Sequence, residues 1–217
     1  MILSVILSIV FYLIYVNIIG TAFQRLFPSM GRIGIFLILT TCLLGSYVNI
    51  PLKRYSTTRP QLTIREVSAF GITYPVPNIR MGRFETLLAL NVGGALVPTV
   101  ASIYLLTRLP TNMLPNLGIA LLIVTAIVRL VSRPIQGMGI IVPILIPPAI
   151  SSLAALVFGG DFSHIIAYVS GTLGTLLGAD ILNLNRIFNL GAPIISIGGA
   201  GTFDGVFLAG VFGVLLA

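Results

Sequence analysis

Apolar residues occur along this chain in long runs, which short polar segments separate. A transmembrane helix needs about 20 consecutive apolar residues, and the runs that approach this length predict about seven transmembrane helices. The predicted spans cover residues 2–23, 33–52, 84–106, 116–131, 134–158, 164–182 and 197–217. We therefore predict an all-α integral membrane protein in which residues 1–217 form a single polytopic membrane domain.

Residues 53–83 form the longest polar segment and hold six of the twelve basic residues. Two runs of alternating apolar and polar residues meet within it near residues 69–71. Because such alternation is typical of a strand with one covered face, we predict a short extramembrane β-hairpin over residues 53–83. An amphipathic segment lying on the lipid headgroups is the alternative interpretation.

Three prolines, Pro143, Pro147 and Pro148, interrupt the fifth apolar run. Proline removes a backbone hydrogen-bond donor and clashes with the preceding helical turn. We therefore predict a broken helix near residues 143–148. Irregular backbone is tolerated at membrane depth only where it is buried in protein or lines a cavity.

Composition favours a membrane location. The chain has 217 residues, of which 57% are hydrophobic and 8% are charged, and its mean hydropathy is +1.10. Soluble domains carry about 25% charged residues. The loops after predicted spans two, four and six hold nine of the twelve basic residues. The positive-inside rule then places the amino terminus on the cytoplasmic side of a prokaryotic cytoplasmic membrane, with the lipid bilayer as a partner.

The net charge of +7 does not indicate nucleic-acid binding, because no basic, aromatic-lined surface remains once the spans are removed. Cys42 is the one cysteine and His164 is the one histidine in the sequence. These counts exclude a disulfide framework, a thiolate metal site and a multi-histidine metal site. We therefore expect no nucleic-acid partner, no metal and no cofactor.

Two aspartates, Asp180 and Asp204, lie in apolar, glycine-rich sequence at the end of the sixth predicted span and the start of the seventh. Each ionisable group costs about 2.5–3.5 kcal/mol to insert into a membrane. Two neighbouring carboxylates in a low dielectric cannot both ionise cheaply, so they share one proton. One acid and one base are what aspartic peptide hydrolysis requires. We therefore predict that Asp180 and Asp204 are the catalytic residues of an intramembrane aspartyl peptidase, whose substrate is a membrane-embedded peptide.

Four further residues are predicted to bind the substrate. Gly199 and Gly201 precede Asp204 and, lacking side chains, would let a substrate backbone approach closely. Thr202 belongs to the same segment, and Asn91 lies beside a glycine pair where it could line a cavity.

Helix geometry opposes a simple pairing of the two aspartates. Gly171, Gly174 and Gly178 form a stripe of small residues that should pack closely on another helix. At about 100° per residue, Asp180 points to the opposite side of the sixth span. The carboxylate pair then requires the seventh span to contact that other face, or the sixth span to unwind near Gly178.

Two other functions fit the same residues. A small transporter or channel would use Asp180 and Asp204 as a proton or cation site. A non-catalytic membrane scaffold would use Asp204 to cap a helix and Asp180 to pair with Arg186.

Four segments of the chain resemble an uncharacterised prokaryotic family of polytopic membrane proteins, domain of unknown function 1614. The segments are SYVNIPL (46–52), NVGGALVP (91–98), GTLGTLLGADILNL (171–184) and GAPIISIGGAGTFDGVFLAG (191–210). The resemblance extends over most of the chain after residue 45, and the family name implies no activity.

A more distant similarity is functional. An aspartate near the end of one span, followed by a glycine-rich aspartate that opens the next, is similar to the GxGD intramembrane aspartyl proteases. These include presenilin, signal peptide peptidase and prepilin peptidase. The similarity implies that Asp204 matches the aspartate of the GxGD motif and Asp180 that of the preceding span. In this chain the motif is two residues longer, because Thr202 and Phe203 separate Gly201 from Asp204.

Overall fold

The computed structural model describes residues 2–69, 72–135, 139–187, 193–199 and 205–217. Within these ranges it contains helices and strands in a mixed order. The helices are α1 (Ile2–Leu26), α2 (Arg32–Gly45), α3 (Val97–Leu106), α4 (Leu114–Val131), α5 (Ile146–Phe158), α6 (Ser163–Thr175), α7 (Leu184–Ile187) and α8 (Gly205–Leu216). The strands are β1 (Asn49–Ala69), β2 (Ile72–Asn91), β3 (Arg133–Ile135), β4 (Gly139–Ile141) and β5 (Ile194–Ile197).

Strands β1, β2 and β5 form one sheet in that order. β1 and β2 pair antiparallel from Asn49 opposite Asn91 to Ala69 opposite Ile72. The last part of β2, Leu87 to Leu90, also pairs with β5, and this pairing is parallel. The carboxyl ends of β2 and β5 therefore lie side by side at one edge of the sheet. β3 and β4 form a separate antiparallel pair.

Helix α6 is central to the helical part of the fold, because it packs against α4, α5 and α8. Its residues Ile165 to Thr172 are all buried. Tyr168 is 1% exposed and meets the ring of Phe23 from α1 edge-on, with 6.1 Å between ring centroids. Gly171 lets α8 approach closely, since a methyl group there would lie 2.8 Å from the carbonyl oxygen of Ala209.

The prediction of an all-α protein with about seven transmembrane helices is wrong. The sheet of β1, β2 and β5 occupies residues that were assigned to the second, third and seventh spans. The error in the third span has a clear cause. Residues 84–91 belong to β2, and near the end of that strand the adjacent residues Leu88 and Ala89, which point to opposite faces of the sheet, are 8% and 0% exposed. A strand that is buried on both faces carries a continuous apolar run, which periodicity cannot distinguish from a buried helix.

The hairpin predicted over residues 53–83 is longer than expected. Its two strands extend over residues 49–69 and 72–91, so they include residues on both sides of the predicted segment. The helix break predicted near residues 143–148 lies before Ile146, where α5 begins. Pro147 and Pro148 occupy the first turn of α5, where a missing amide proton costs no helical hydrogen bond.

Two helical segments among the described residues are long and apolar enough to cross a membrane. They cover Thr111–Val131 and Gly160–Arg186 and contain 21 and 27 residues. Four other apolar helices in the described part of the chain are shorter. Large apolar side chains also face outward, including Leu122 and Leu130 on α4 and Val157 on α5, which are 69%, 82% and 73% exposed. These observations support association with a membrane.

From the contact between α6 and α8 we predict that two glycine-to-alanine substitutions change the stability of the protein by different amounts. Gly171→Ala should lower the free energy of unfolding by about 1–3 kcal/mol, because its methyl group would overlap the Ala209 carbonyl. Gly118→Ala, in the middle of α4, meets nothing within 4 Å and should leave stability unchanged or raise it by up to about 1 kcal/mol. Thermal unfolding in detergent measures both. Equal melting temperatures for the two variants would contradict this packing.

Candidate functional site

Asp180 lies where the helical segment that begins with α6 becomes irregular. α6 continues into a π-helical turn, Leu176–Asp180, and then a 3-10 turn, Ile181–Asn183. Turns of the π type are frequent at functional sites. Here the Asn183 amide nitrogen donates hydrogen bonds to the carbonyl oxygens of Gly178 and Ala179, at 3.0 and 2.8 Å. The buried side chain of Asn183 thus satisfies backbone groups that the irregular turn exposes.

The carboxylate of Asp180 binds the turn that follows β5. Its Oδ2 atom accepts a hydrogen bond from the Gly198 backbone N–H at 2.7 Å. Gly198 and Gly199 have φ angles of +83° and +92°, which residues with side chains rarely adopt. A methyl group on Gly198 would also lie 2.5 Å from Cβ of Ala95. Glycine is therefore required at position 198 for both its backbone conformation and its close contact.

Asn91 holds together the corresponding turn after β2. Its side chain is 1% exposed. Its Oδ1 accepts a hydrogen bond from the Gly94 backbone N–H at 2.8 Å, and its Nδ2 donates to the Ser46 carbonyl at 2.6 Å and to Asn49 Oδ1 at 3.1 Å. Asn49 Oδ1 also accepts from the Ser196 hydroxyl. These bonds tie β1, β2 and β5 together at the edge where Gly198 meets Asp180.

The predicted site residues divide into two groups. Asp180, Gly199 and Asn91 are described, and they lie on segments that meet around Gly198. Gly201, Thr202 and Asp204 lie outside the described residues. The catalytic roles of the aspartates and the substrate-binding roles of the other four residues stay predictions.

The glycines of α6 do not form one contact stripe. Gly171 faces α8, whereas a methyl group on Gly174 or Gly178 would meet Val124 or Thr125 of α4 within 3 Å. The π-helical turn also reorients the backbone between Gly178 and Asp180. The helical segment is irregular near Gly178 but does not unwind there, and the pairing of Asp180 with Asp204 stays a prediction.

The contacts between α6 and α8 show how the two helices are aligned. Gly171 lies against Ala209, and a methyl group on Gly213 would lie 3.5 Å from the Ala167 carbonyl oxygen, so the helices are antiparallel. Extending this alignment places Gly205, where α8 begins, opposite Thr175. Asp180 lies five residues beyond Thr175, which corresponds to about 7 Å along the axis. α8 therefore begins near the end of α6 that carries Asp180.

Four buried polar atoms belong to residues that contact Gly178 or lie near it in sequence, and Gly178 lies two residues before Asp180. Thr125 Oγ1, Arg129 Nη1, Thr175 Oγ1 and Asn183 Oδ1 are buried and have no hydrogen-bond partner among the described residues. Thr125 and Arg129 lie on α4, where their backbone atoms contact Gly178. Buried polar atoms in proteins are generally hydrogen-bonded to protein or to ordered water. This part of the bundle is therefore a polar region inside an apolar fold.

Sequence reasoning missed the role of Gly198 and the pairing of β2 with β5. A signal was present in the sequence. The apolar run at 87–90 is followed by Asn91 and a glycine pair, and the isoleucine-rich segment 194–197 is followed by Gly198 and Gly199. Each run is a strand that ends in a glycine-containing turn and leads toward an apolar helix, α3 or α8.

Comparison with known proteins gives one match. A family described as protein of unknown function, DUF1614, matches residues 43–216, a range that includes both aspartates and Asn91. No curated protein and no solved structure matches the chain. Because the match covers most of the sequence, this chain belongs to the DUF1614 family of proteins of unknown function.

Proposed function

We propose that this protein is an intramembrane aspartyl peptidase whose catalytic pair is Asp180 and Asp204. The hydrogen bond from the Gly198 amide to Asp180 is the observation that supports this proposal most. Gly198 precedes Asp204 by six residues, so this bond fixes the start of the segment that leads to Asp204. The antiparallel alignment of α6 and α8 supports the same arrangement, because α8 begins directly after Asp204.

The proposed peptidase is an integral protein of a prokaryotic cytoplasmic membrane with its amino terminus in the cytoplasm. The two long apolar helical segments and the outward-facing apolar side chains support the membrane location. The orientation rests on the hairpin segment 53–83, which holds six of the twelve basic residues and which the positive-inside rule places in the cytoplasm. A membrane-embedded peptide is then the accessible substrate.

The proposed reaction uses one proton shared by two carboxyl groups. The ionised aspartate removes a proton from water, and the water oxygen attacks the carbonyl carbon of the peptide bond. The protonated aspartate donates a hydrogen bond to the carbonyl oxygen and stabilises the charge that develops there. Proton transfer to the departing nitrogen then yields one carboxyl group and one amine, and one water is consumed.

An extended substrate has a place to bind beside this pair. Among the strands that the structure describes, β5 is the outer one of its sheet, with β2 on one side, and it leads directly to Gly198. A peptide that adds to the free edge of β5 would bring its backbone along the turn that binds Asp180. The absence of side chains at Gly199 and Gly201 would keep the approach to the carboxylates open.

A proton pathway is the second candidate function. The buried oxygens of Thr125, Thr175 and Asn183, which have no hydrogen-bond partner among the described residues, support it, because these residues contact Gly178 or lie within three residues of it. Such groups can bind a chain of water molecules that leads to a carboxylate. The guanidinium of Arg129 in the same region opposes entry of a metal cation, so the candidate ion is a proton.

The peptidase proposal predicts that Asp180→Asn and Asp204→Asn each abolish cleavage, by about a hundredfold or more. Asparagine keeps an oxygen that can accept the Gly198 hydrogen bond, so both variants should fold. Asp161→Asn is the control, because Asp161 is exposed in the 3-10 turn Gly160–Phe162 and should retain full activity. The measurement is mass spectrometry of transmembrane peptides incubated with the protein in liposomes. Normal cleavage by both single variants of the proposed pair would falsify the proposal.

The turn at Gly198 yields a separate prediction. Gly198→Ala introduces a residue with positive φ and a methyl group that overlaps Ala95, so cleavage should be lost and the melting temperature should fall. Gly160→Ala shares the positive φ, here +50°, but meets nothing within 4 Å. The Gly160→Ala variant should lose only about 1–2 kcal/mol of stability through backbone strain and should keep its activity. If the two variants cleave equally well, the turn does not position Asp180.

The proton-pathway candidate predicts proton flux into liposomes that carry a pH-sensitive dye. Thr125→Val removes one unpartnered hydroxyl at nearly constant volume, and it should slow that flux several-fold while peptide cleavage is unaffected. Thr107→Val is a suitable control, because the Thr107 hydroxyl bonds the Tyr104 carbonyl on the exposed end of α3. A protein without flux over a range of imposed pH gradients rules out the pathway and leaves the peptidase proposal standing.

A further inference from the structure

A groove of about 500 Å³ lies between α1 and α2, away from the aspartate site. We call it the α1–α2 groove and define it by its polar residues Asn17, Thr21, Gln24 and Arg32 together with Ile35 and Phe36. Asn17, Thr21 and Gln24 are spaced four and three residues apart on α1, so they lie on one face of that helix. The rest of α1 carries a single charge, Arg25.

The groove is polar at one end and apolar at the other. Gly20 meets Ile35 across the helix pair, and the Tyr12 hydroxyl bonds Thr40 Oγ1 at 2.9 Å. These contacts show that α1 and α2 are antiparallel, so Arg32 lies beside the end of α1 that carries Gln24. Beyond Phe36 the outer surface becomes apolar, as Leu13 and Leu37 are 54% and 57% exposed.

Two of these three polar side chains of α1 already donate hydrogen bonds within the helix. Asn17 Nδ2 donates to the Leu13 carbonyl, and the Thr21 hydroxyl donates to the Ile18 carbonyl. The donors that remain toward the groove are the guanidinium of Arg32 and the side-chain amide of Gln24. These donors suit a ligand that is rich in acceptor oxygens.

The charge of the groove also favours a ligand with acceptor oxygens. The chain has five acidic residues, Glu66, Glu85, Asp161, Asp180 and Asp204, and no acidic side chain that the structure describes lines the groove. Arg32 therefore has no carboxylate in the groove to neutralise it. A guanidinium binds phosphate oxygens through paired hydrogen bonds, so a phosphate group complements this end in charge and in geometry.

We propose that the α1–α2 groove binds an anionic phospholipid, with the phosphate at Arg32 and Gln24 and an acyl chain against Ile35 and Phe36. The polarity of the groove along the helix axis matches that of a lipid molecule, whereas a free phosphate ion would leave the apolar end uncovered. The proposal rests on the proposed membrane location, and it does not depend on the function of Asp180 or Asp204.

The test is native mass spectrometry of the full chain, released from detergent, with phosphatidylglycerol or phosphatidylcholine. Phosphatidylglycerol should bind in preference, and Arg32→Gln should reduce its bound fraction about tenfold. Arg25→Gln is the matched control, because it removes the same charge at the same end of the α1–α2 helix pair, and Arg25 does not line the groove. Its bound fraction should stay within about twofold of that of the unsubstituted protein.

Three results would overturn the proposal. The first is equal binding of the two lipids to the unsubstituted protein. This comparison uses no variant, so its outcome does not depend on whether a variant folds. The second is an equal loss in Arg25→Gln and Arg32→Gln, which would indicate diffuse charge attraction. The third is displacement of bound lipid by inorganic phosphate at millimolar concentration, which would make free phosphate the ligand. Repeating the measurement in Asp180→Asn separates the two proposals, since lipid binding should persist there whether or not the protein is a peptidase.

Discussion

The hydrogen bond between Asp180 and the Gly198 amide is the interaction on which the candidate site depends. A carboxylate in an apolar bundle must be hydrogen-bonded, because an unpaired buried charge is very costly. Its partner here is a backbone amide, and only the positive φ of Gly198 presents that amide while Ala95 lies directly against it. The aspartate, the turn after β5 and the turn after β2 therefore form one unit.

Close contacts between backbone segments connect this unit to the helices. A methyl group on Gly93 would overlap the backbone of Cys42 and Ser46 at the end of α2, while Asn91 bonds the Ser46 carbonyl. On the other side, Gly178 brings α4 against the π-helical turn that carries Asp180. The site is thus held by backbone contacts at glycines, and small changes in volume at these glycines should matter more than changes on the apolar surface.

The amount that the sequence could predict differs between elements for physical reasons. Alternation predicted the hairpin, because each strand there has two unlike faces. The same reasoning failed at Leu87 to Leu90, where Leu88 and Ala89 are buried on opposite faces of β2 and leave no alternation to detect. The two aspartates were found because charge is rare in this chain. Gly198 was not found as a partner, since its role depends on a parallel pairing between strands more than one hundred residues apart.

The irregular backbone around Asp180 also explains how one long helical segment can carry the candidate site. A regular α-helix with small residues on one stripe would direct Asp180 away from that stripe. In the structure, Gly174 and Gly178 face α4, the π-helical turn shifts the residues that follow, and Asn183 occupies the carbonyl groups of Gly178 and Ala179. Because this side chain satisfies the backbone locally, the turn does not need water or lipid to compensate it. The segment Gly160–Arg186 can therefore stay buried in the bundle and still direct a carboxylate at the sheet edge.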